Sequence, residues 1–294
     1  MEKILRRKST YAVFVLPAFI IYAVMVIVPV FVSGYYSTLD WNGFGENTFI
    51  GFKNYITLFT QDEGFIKSVL HSLLLAGYSV VFQIPIALLL ALLLARGLKG
   101  EKFYRTIYFI PVVISSVVIG QLWLKIYNPN YGMLNILLKS IGLDSLVNDW
   151  LGNPKTALSS AFVPVVWQYI GYHMLLLYAS IKSVPTDIYE AARIDGASET
   201  SIAFKITMPL IAPMIKVCMT FCIVGSLKFF DLIYILTQGG PIHSTEVPGY
   251  LMYSKIFIQN QYGYGSAIAI FIVVECLLFY GLMQKLFKTD EITY

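Results

Sequence analysis

From Tyr11 to Leu39 the chain runs without one charged side chain, far enough to cross a bilayer unaided. A hydrocarbon layer about 30 Å thick takes roughly 20 helical residues. Comparable runs recur: Val69 to Ala95, Thr106 to Leu124 and Thr156 to Ile181 contain no Asp, Glu, Lys or Arg. Two further runs are interrupted, Pro209 to Thr237 by Lys216, Lys228 and Asp231, and Tyr264 to Gln284 by Glu275. Lipid offers the backbone no hydrogen-bond partners, so segments of this length cross it as helices. The expectation is an all-α membrane protein of six transmembrane helices. Composition agrees, with 57% hydrophobic and 13% charged residues, where a soluble domain carries about 25% charged.

The basic opening, Lys3, Arg6, Arg7 and Lys8, followed by an apolar stretch, has the outline of a secretory signal. The stretch exceeds the roughly 7 to 15 residues of a signal core and no A-x-A-like site follows, so it reads as a retained first helix. Cytoplasmic loops keep the cations. The amino terminus, the 96–105 and 182–208 loops and the tail, with Lys285 and Lys288, hold thirteen Lys and Arg, against six in the alternate loops. Both termini are thus expected in the cytoplasm. The net charge of +4 is dispersed and gives no nucleic-acid signal. Cys218, Cys222 and Cys276 lie in apolar runs and read as small buried hydrophobes. Pro17, Pro29, Pro85, Pro111 and Pro164 fall within spans and predict bent, packed helices. The whole chain, 1–294, reads as a single transmembrane domain containing one long cytoplasmic loop, 184–213.

That loop, VPTDIYEAARIDGASETSIAFKITMPLIAP, is where polar density rises between two spans. Asp187 with Glu190 has capping-box spacing and predicts a short helix. Ile188, Ala191 and Ala192 supply a small apolar face, Gly196 suits a helix end at positive φ, and Ser198 can cap a second helix running to Phe204. A helical hairpin with a shallow face fits a groove on another protein.

The loop resembles the EAA loop of permease subunits of binding-protein-dependent ABC importers: Glu190, Ala191, Ala192, then Asp195, Gly196, Ala197, then Ile206, Met208 and Pro209, with Met in place of the usual Leu. FIGFKNY from Phe49, the Arg105 to Asn135 stretch with Pro111, Trp123, Pro129 and Gly132, and LTQGGP from Leu236 resemble the first permease subunit of maltose and glycerol-phosphate type sugar importers. The chain is similar to compact six-helix members that lack the maltose subunit's extra amino-terminal helices and large periplasmic insertion.

The resemblance implies the type I ABC importer permease fold, multi-pass in a bacterial cytoplasmic membrane, forming half of the path for a sugar. Its partners are then a second homologous permease, two ABC ATPase subunits and an extracytoplasmic sugar-binding protein. Glu190 is expected to pair with a basic ATPase residue and Ala191 and Ala192 to pack in its cleft, with Asp195, Gly196, Ala197 and Phe204 completing the coupling element. The chain has no G-x-x-x-x-G-K-S/T loop, so no cofactor is expected in it; ATP and Mg would be bound by the ATPase.

Charges at membrane depth cost several kcal/mol, roughly 2.5–3.5 on insertion scales, and belong in a bundle interior or wet cavity. Lys228 and Asp231, three apart, are expected on one helix face, either lining a substrate path beside Phe229, Phe230 and Tyr234 or forming a structural ion pair. In the fourth run Gln168 and Tyr172 share a face, as do Tyr169 and His173, and the first pair is taken as pathway-lining. Glu275 either lines the path or pairs with Lys216 or a partner's cation. The competing class is an ion-coupled secondary transporter using Asp231 and Glu275, for which inverted repeats are expected and none is visible. An enzyme is disfavoured, since His71, His173 and His243 sit in separate segments without a nucleophile or metal-ligand pair.

Overall fold

The computed structural model describes residues 8–287, with side chains from residue 13. Lys3, Arg6, Arg7, Lys288 and the Lys8 side chain, which entered the cation count, lie outside the described residues.

The apolar runs fold as helices. Helix α1 comprises Lys8–Tyr22, Ala23–Ile27 and Val28–Tyr36. A minimal antiparallel pair follows, β1 (Leu39–Asp40) and β2 (Thr48–Phe49), with Leu39 opposite Phe49, and then α2 (Lys53–Thr60). Helix α3 comprises Glu63–Tyr78, Ser79–Gln83 and Ile84–Ala95. After it come α4 (Glu101–Val113), α5 (Ser116–Ile126), α6 (Met133–Ser140), α7 (Ala157–Ser183) and α8 (Thr186–Ile194). Helix α9 comprises Glu199–Ile202, Ala203–Thr207 and Met208–Leu210, and precedes α10 (Ala212–Leu227) and α11 (Asp231–Leu236). The last are α12 (Pro248–Tyr253 and Ser254–Ile258) and α13 (Tyr262–Leu286).

Four of the described helices contain a widened π-type turn, and three of these turns end two residues before a proline: Ala23–Ile27 before Pro29, Ser79–Gln83 before Pro85, and Ala203–Thr207 before Pro209; the fourth, Ser254–Ile258 in α12, has no proline behind it. The proline ring collides with the carbonyl four residues earlier, and the wider turn draws that carbonyl aside so the helix continues. Pro17, Pro111 and Pro164 sit within helical segments with no such turn ahead of them.

Among the described residues four helices are long and apolar enough to cross a membrane: Val13–Tyr36, Glu63–Ala95, Ala157–Ser183 and Tyr262–Leu286. The third run differs from its expectation as one unaided span, because α4 and α5 meet at 97°. Ile114 is extended, with ψ 140, and the Ser115 hydroxyl accepts the Val117 N–H at 3.3 Å, starting a new helix. The fifth run is also divided. Helices α9 and α10 bend by 72°, and α10 stops at Leu227. If each bent pair crosses once, the count reaches six.

The chain divides into two compact units: residues up to Glu63 with Leu251–Val273, and Gly64–Tyr250 with the chain from Val274. In the first, Asn54 Nδ2 donates to the Ser37 and Leu39 carbonyls at 2.8 and 3.0 Å, and the Tyr55 hydroxyl donates to Ser37 Oγ at 2.7 Å. These bonds account for the Asn-Tyr of FIGFKNY, which secures the chain leaving α1. Tyr264 donates to Asp62 at 2.7 Å, and Tyr36, Trp41 and Tyr262 stack in sequence. No side chain from Val13 to Tyr36 is buried.

In the second unit Ile84, Ala87, Ala91 and Leu94 of α3 pack on Met174, Leu177 and Ile181 of α7, with Cys218 and Cys222 of α10. The cysteines are free, and these two are buried as expected. A Cβ at Gly171 would overlap the Tyr108 carbonyl, so glycine is what lets α7 and α4 approach backbone to backbone. A second cluster joins Leu75, Ile119, Phe162 and Val165 to Leu232, Ile233 and Leu236 of α11.

Candidate functional site

Between α3, α7, α10 and α11 lies a cavity of about 510 Å³, within the range of small-molecule pockets. Ser79 and Gln83 enter it from the widened turn of α3, Tyr169, Tyr172 and His173 from α7, and Lys228 to Asp231 from the break between α10 and α11. Its walls combine aromatic faces with hydroxyl, amide, imidazole and charged groups. His173 is buried, and its Nδ1 has no hydrogen-bond partner among the described residues. Phe230 stacks on Tyr234 with centroids 5.3 Å apart and planes at 22°.

The geometry corrects several expectations. Lys228 and Asp231 do not share a helix face: α10 ends at Leu227 and α11 begins at Asp231, and no ion pair joins the two among the described residues. Both nevertheless line the cavity. Tyr172 lines it too, but Gln168 is buried at 3% exposure and does not, whereas Tyr169 and His173 do. Tyr234 reaches the cavity only through its stack on Phe230. Lys216 does not pair with Glu275; its Nζ donates to the Phe287 carbonyl at 2.6 Å, satisfying the end of α13. Glu275 is buried, with Oε2 lacking a hydrogen-bond partner among the described residues.

In the 184–213 loop, α8 starts at Thr186 without a side-chain cap, so Asp187 lies in the first turn rather than capping it. At the other end Ala197 N–H donates to the Ala192 carbonyl and Gly196 N–H to the Arg193 carbonyl, both at 3.0 Å. This is a Schellman motif, and Gly196, at φ +79, holds its left-handed position. Ser198 Oγ accepts the Ser201 N–H at 3.3 Å and caps α9, as its residue type predicts. Helix α9 continues beyond Phe204 to Leu210 through the turn before Pro209.

The two faces of α8 are separated cleanly. Ile188 and Tyr189 pack on the α3–α7 core and Ala192 is buried at 8%. Asp187, Glu190, Ala191 and Ile194, at i, i+3, i+4 and i+7, are all exposed, Ile194 at 85%. Ala192 is therefore turned inward while Ala191 is exposed, so the two do not share one outward face as expected, and Ile194 stands with Ala191 on that face. Phe204 is exposed at 63%.

The model of the family described as "Binding-protein-dependent transport system inner membrane component" matches residues 83–289. The chain belongs to this family. It is 39% identical to the probable ABC transporter permease protein YurN of Bacillus subtilis, covering 95% of this chain and 96% of that one. It is 30% identical to the multiple sugar-binding transport system permease protein MsmF of Streptococcus mutans, covering 99% of each. The trehalose/maltose transport system permease protein MalF of Thermococcus litoralis is 33% identical over 90% of this chain and 89% of its own length. Among solved structures, a chain of a bacterial alginate ABC transporter, crystallised with its alginate pentasaccharide-bound periplasmic protein, matches with a TM-score of 0.83 and 27% identity over 97% of this chain and 96% of that one.

The permease is thus an inner-membrane transport component and not an enzyme. The residues of the permease that sequence reading passed over are informative. Ser79 and Gln83 sit in an uncharged run that also holds His71 and Ser72, where an amide two residues before a proline is the available signal. Ile194 shows no signal beyond its i+4 relation to Glu190, since burial and not residue type separates it from Ile188.

Proposed function

We propose that the chain is the permease subunit of an ATP-driven importer for mono- or oligosaccharides, forming half of the translocation path. In this reading it crosses the membrane six times with both termini in the cytoplasm, and 1–294 works as one permease domain. The cation imbalance supports the orientation, and the bent pairs α4–α5 and α9–α10 supply the two further crossings. The sugar class rests on the names of the relatives and on the aromatic and polar mixture of the cavity, which suits a ring with apolar faces and hydroxyl edges.

Coupling passes through the 184–213 loop. The observation that carries this is the two-faced α8: one side is packed into the α3–α7 core while Asp187, Glu190, Ala191 and Ile194 stand exposed among the described residues. A partner ATPase that grips the outward face moves the inward face with it, and so moves α3 and α7, which bound the cavity. ATP and Mg belong to that ATPase; a sugar-loaded extracytoplasmic protein delivers substrate, and a second permease completes the path. The apolar surface of α1 is left for lipid and that second subunit.

The test is reconstitution of the permease with its second subunit, ATPase and binding protein in vesicles, with ATP inside and a panel of labelled saccharides outside. Saccharide accumulation that needs both ATP and the binding protein upholds the reading. Uptake by this chain alone, driven by a proton or sodium gradient, overturns it in favour of the ion-coupled class.

A further inference from the structure

Helix α6 and the turns after it lie outside the spans, yet they expose a run of large apolar side chains. Met133, Ile136 and Leu137 share one face of α6 and are 66%, 56% and 54% exposed. Ile141, Leu143 and Leu146 continue at 60%, 42% and 53%. The opposite face is already satisfied. Asn135 is buried: its Nδ2 donates to the Asn148 carbonyl at 2.9 Å, and its Oδ1 accepts from Trp150 Nε1 at 2.8 Å. Leu134 and Leu138 are half-buried beside it.

A short helix fixed in place by a buried amide network, with its apolar side turned outward, is in the wrong solvent if that solvent is water. Continuity with α5 identifies the right one. Val117, Val118 and Leu122 of α5 are 57%, 58% and 48% exposed on a segment read as membrane-crossing, and α6 begins seven residues after α5 ends. Between them stands an exposed Tyr131, its ring centroid 5.8 Å from the ammonium of Lys125 in the last turn of α5, and α6 carries Lys139 in its last turn. Tyr and Lys beside apolar side chains are the residues that settle at headgroup depth.

We infer that α6, with residues 141–146, lies flat in the membrane interface at the mouth of α5 and α7, its occupant the headgroup and upper acyl layer of the bilayer. Met133, Ile136 and Leu137 enter the acyl boundary, while Lys139 and Lys125 reach phosphate, in the manner of a monotopic amphipathic helix. The inference rests on the transport reading only for which side of the membrane this is. The loop is then anchored in the bilayer surface and is not a free arm.

The experiment places a benzophenone amino acid at Leu137, and separately at Lys155 in the same loop, in the full permease within its assembled complex in phospholipid vesicles. Irradiation is followed by mass analysis of the products. Several-fold more phospholipid adduct at 137 than at 155, unchanged by adding binding protein, is the expected result. Cross-links from 137 to the binding protein or the second permease subunit in place of lipid overturn it, as does equal lipid labelling at both positions. Because 137 is exposed, the probe leaves the fold intact, and transport by the labelled complex checks this independently of the lipid readout.

Discussion

Arg193 and Glu199 meet across the turn made by Gly196, with Nε 2.9 Å from the carboxylate oxygen. They join the end of α8 to the start of α9, so the two short helices of the loop are held as one hairpin. Both are exposed, so the pair contributes geometry more than stability.

The Arg193 hydrogen bond holds the Glu199 carboxyl below its ordinary value of 4.5. A carboxylate with a lowered folded value stabilises above its ordinary value and loses that contribution as pH falls through the lowered one. Protease resistance of the 184–213 loop should therefore stay level from neutral pH to about 5 and decline only in stronger acid. Glu199→Gln should give the acid-like pattern at neutral pH; limited proteolysis of the two proteins across pH makes the comparison.

Gly196→Val places a β-branched residue at φ +79, costing roughly 1–2 kcal/mol locally. Beyond its chain neighbours, no described residue comes within 4 Å of the added Cβ, so the cost is conformational and confined to the turn. Membrane abundance should stay near normal while ATP-dependent uptake and ATPase co-purification fall together.

Ile194→Glu and Ala192→Leu separate the two faces of α8. The first should reduce ATPase retention with no change in the melting of the isolated permease. The second overfills a buried site, costing about 1–3 kcal/mol, and should lower thermal stability measured in detergent. If Ala192→Leu weakened only ATPase binding, the assignment of the faces would be reversed.

Asp231→Ala and His173→Phe both remove polar groups from the cavity wall. Uptake should drop by about tenfold or more, the equivalent of one lost charge-assisted hydrogen bond, at unchanged abundance. A fall in abundance matching the fall in uptake would remove these residues from the path.

Gly171→Val should be the severest of these changes, because its side chain meets the Tyr108 carbonyl and forces α7 from α4. The expected readout is loss of folded protein by size-exclusion chromatography, not altered transport kinetics.

Much of the architecture was legible because lipid leaves few choices: uncharged runs become helices, and Gly196 and Ser198 carry their turn chemistry on their face. The break at Ser115 was not legible, because an uncharged serine within an apolar run reads the same in a straight helix or a bent one. Lys228 and Asp231 were assigned to one face by assuming a continuous helix, which the break at Lys228–Phe230 removes. Gln168 was placed inward on helical spacing alone; spacing groups residues by face but does not say which face meets the cavity. Ala191 and Ala192 are neighbours of equal chemistry, and only the packing of α8 on the core sends one in and the other out.

The widened turns ahead of Pro29, Pro85 and Pro209 also alter how each helix is phased. A surplus residue in a turn rotates everything beyond it by about 100° relative to a regular helix. In α3 this lets Ser79, Gln83, Ala87 and Ala91 follow one another inward at constant steps of four, all buried. A deletion of one residue within 79–83 would re-register the outer and cytoplasmic halves of that helix as if one had been twisted in its socket. Length variation there is consequently excluded by phasing alone, before the place of Ser79 and Gln83 in the cavity wall is counted.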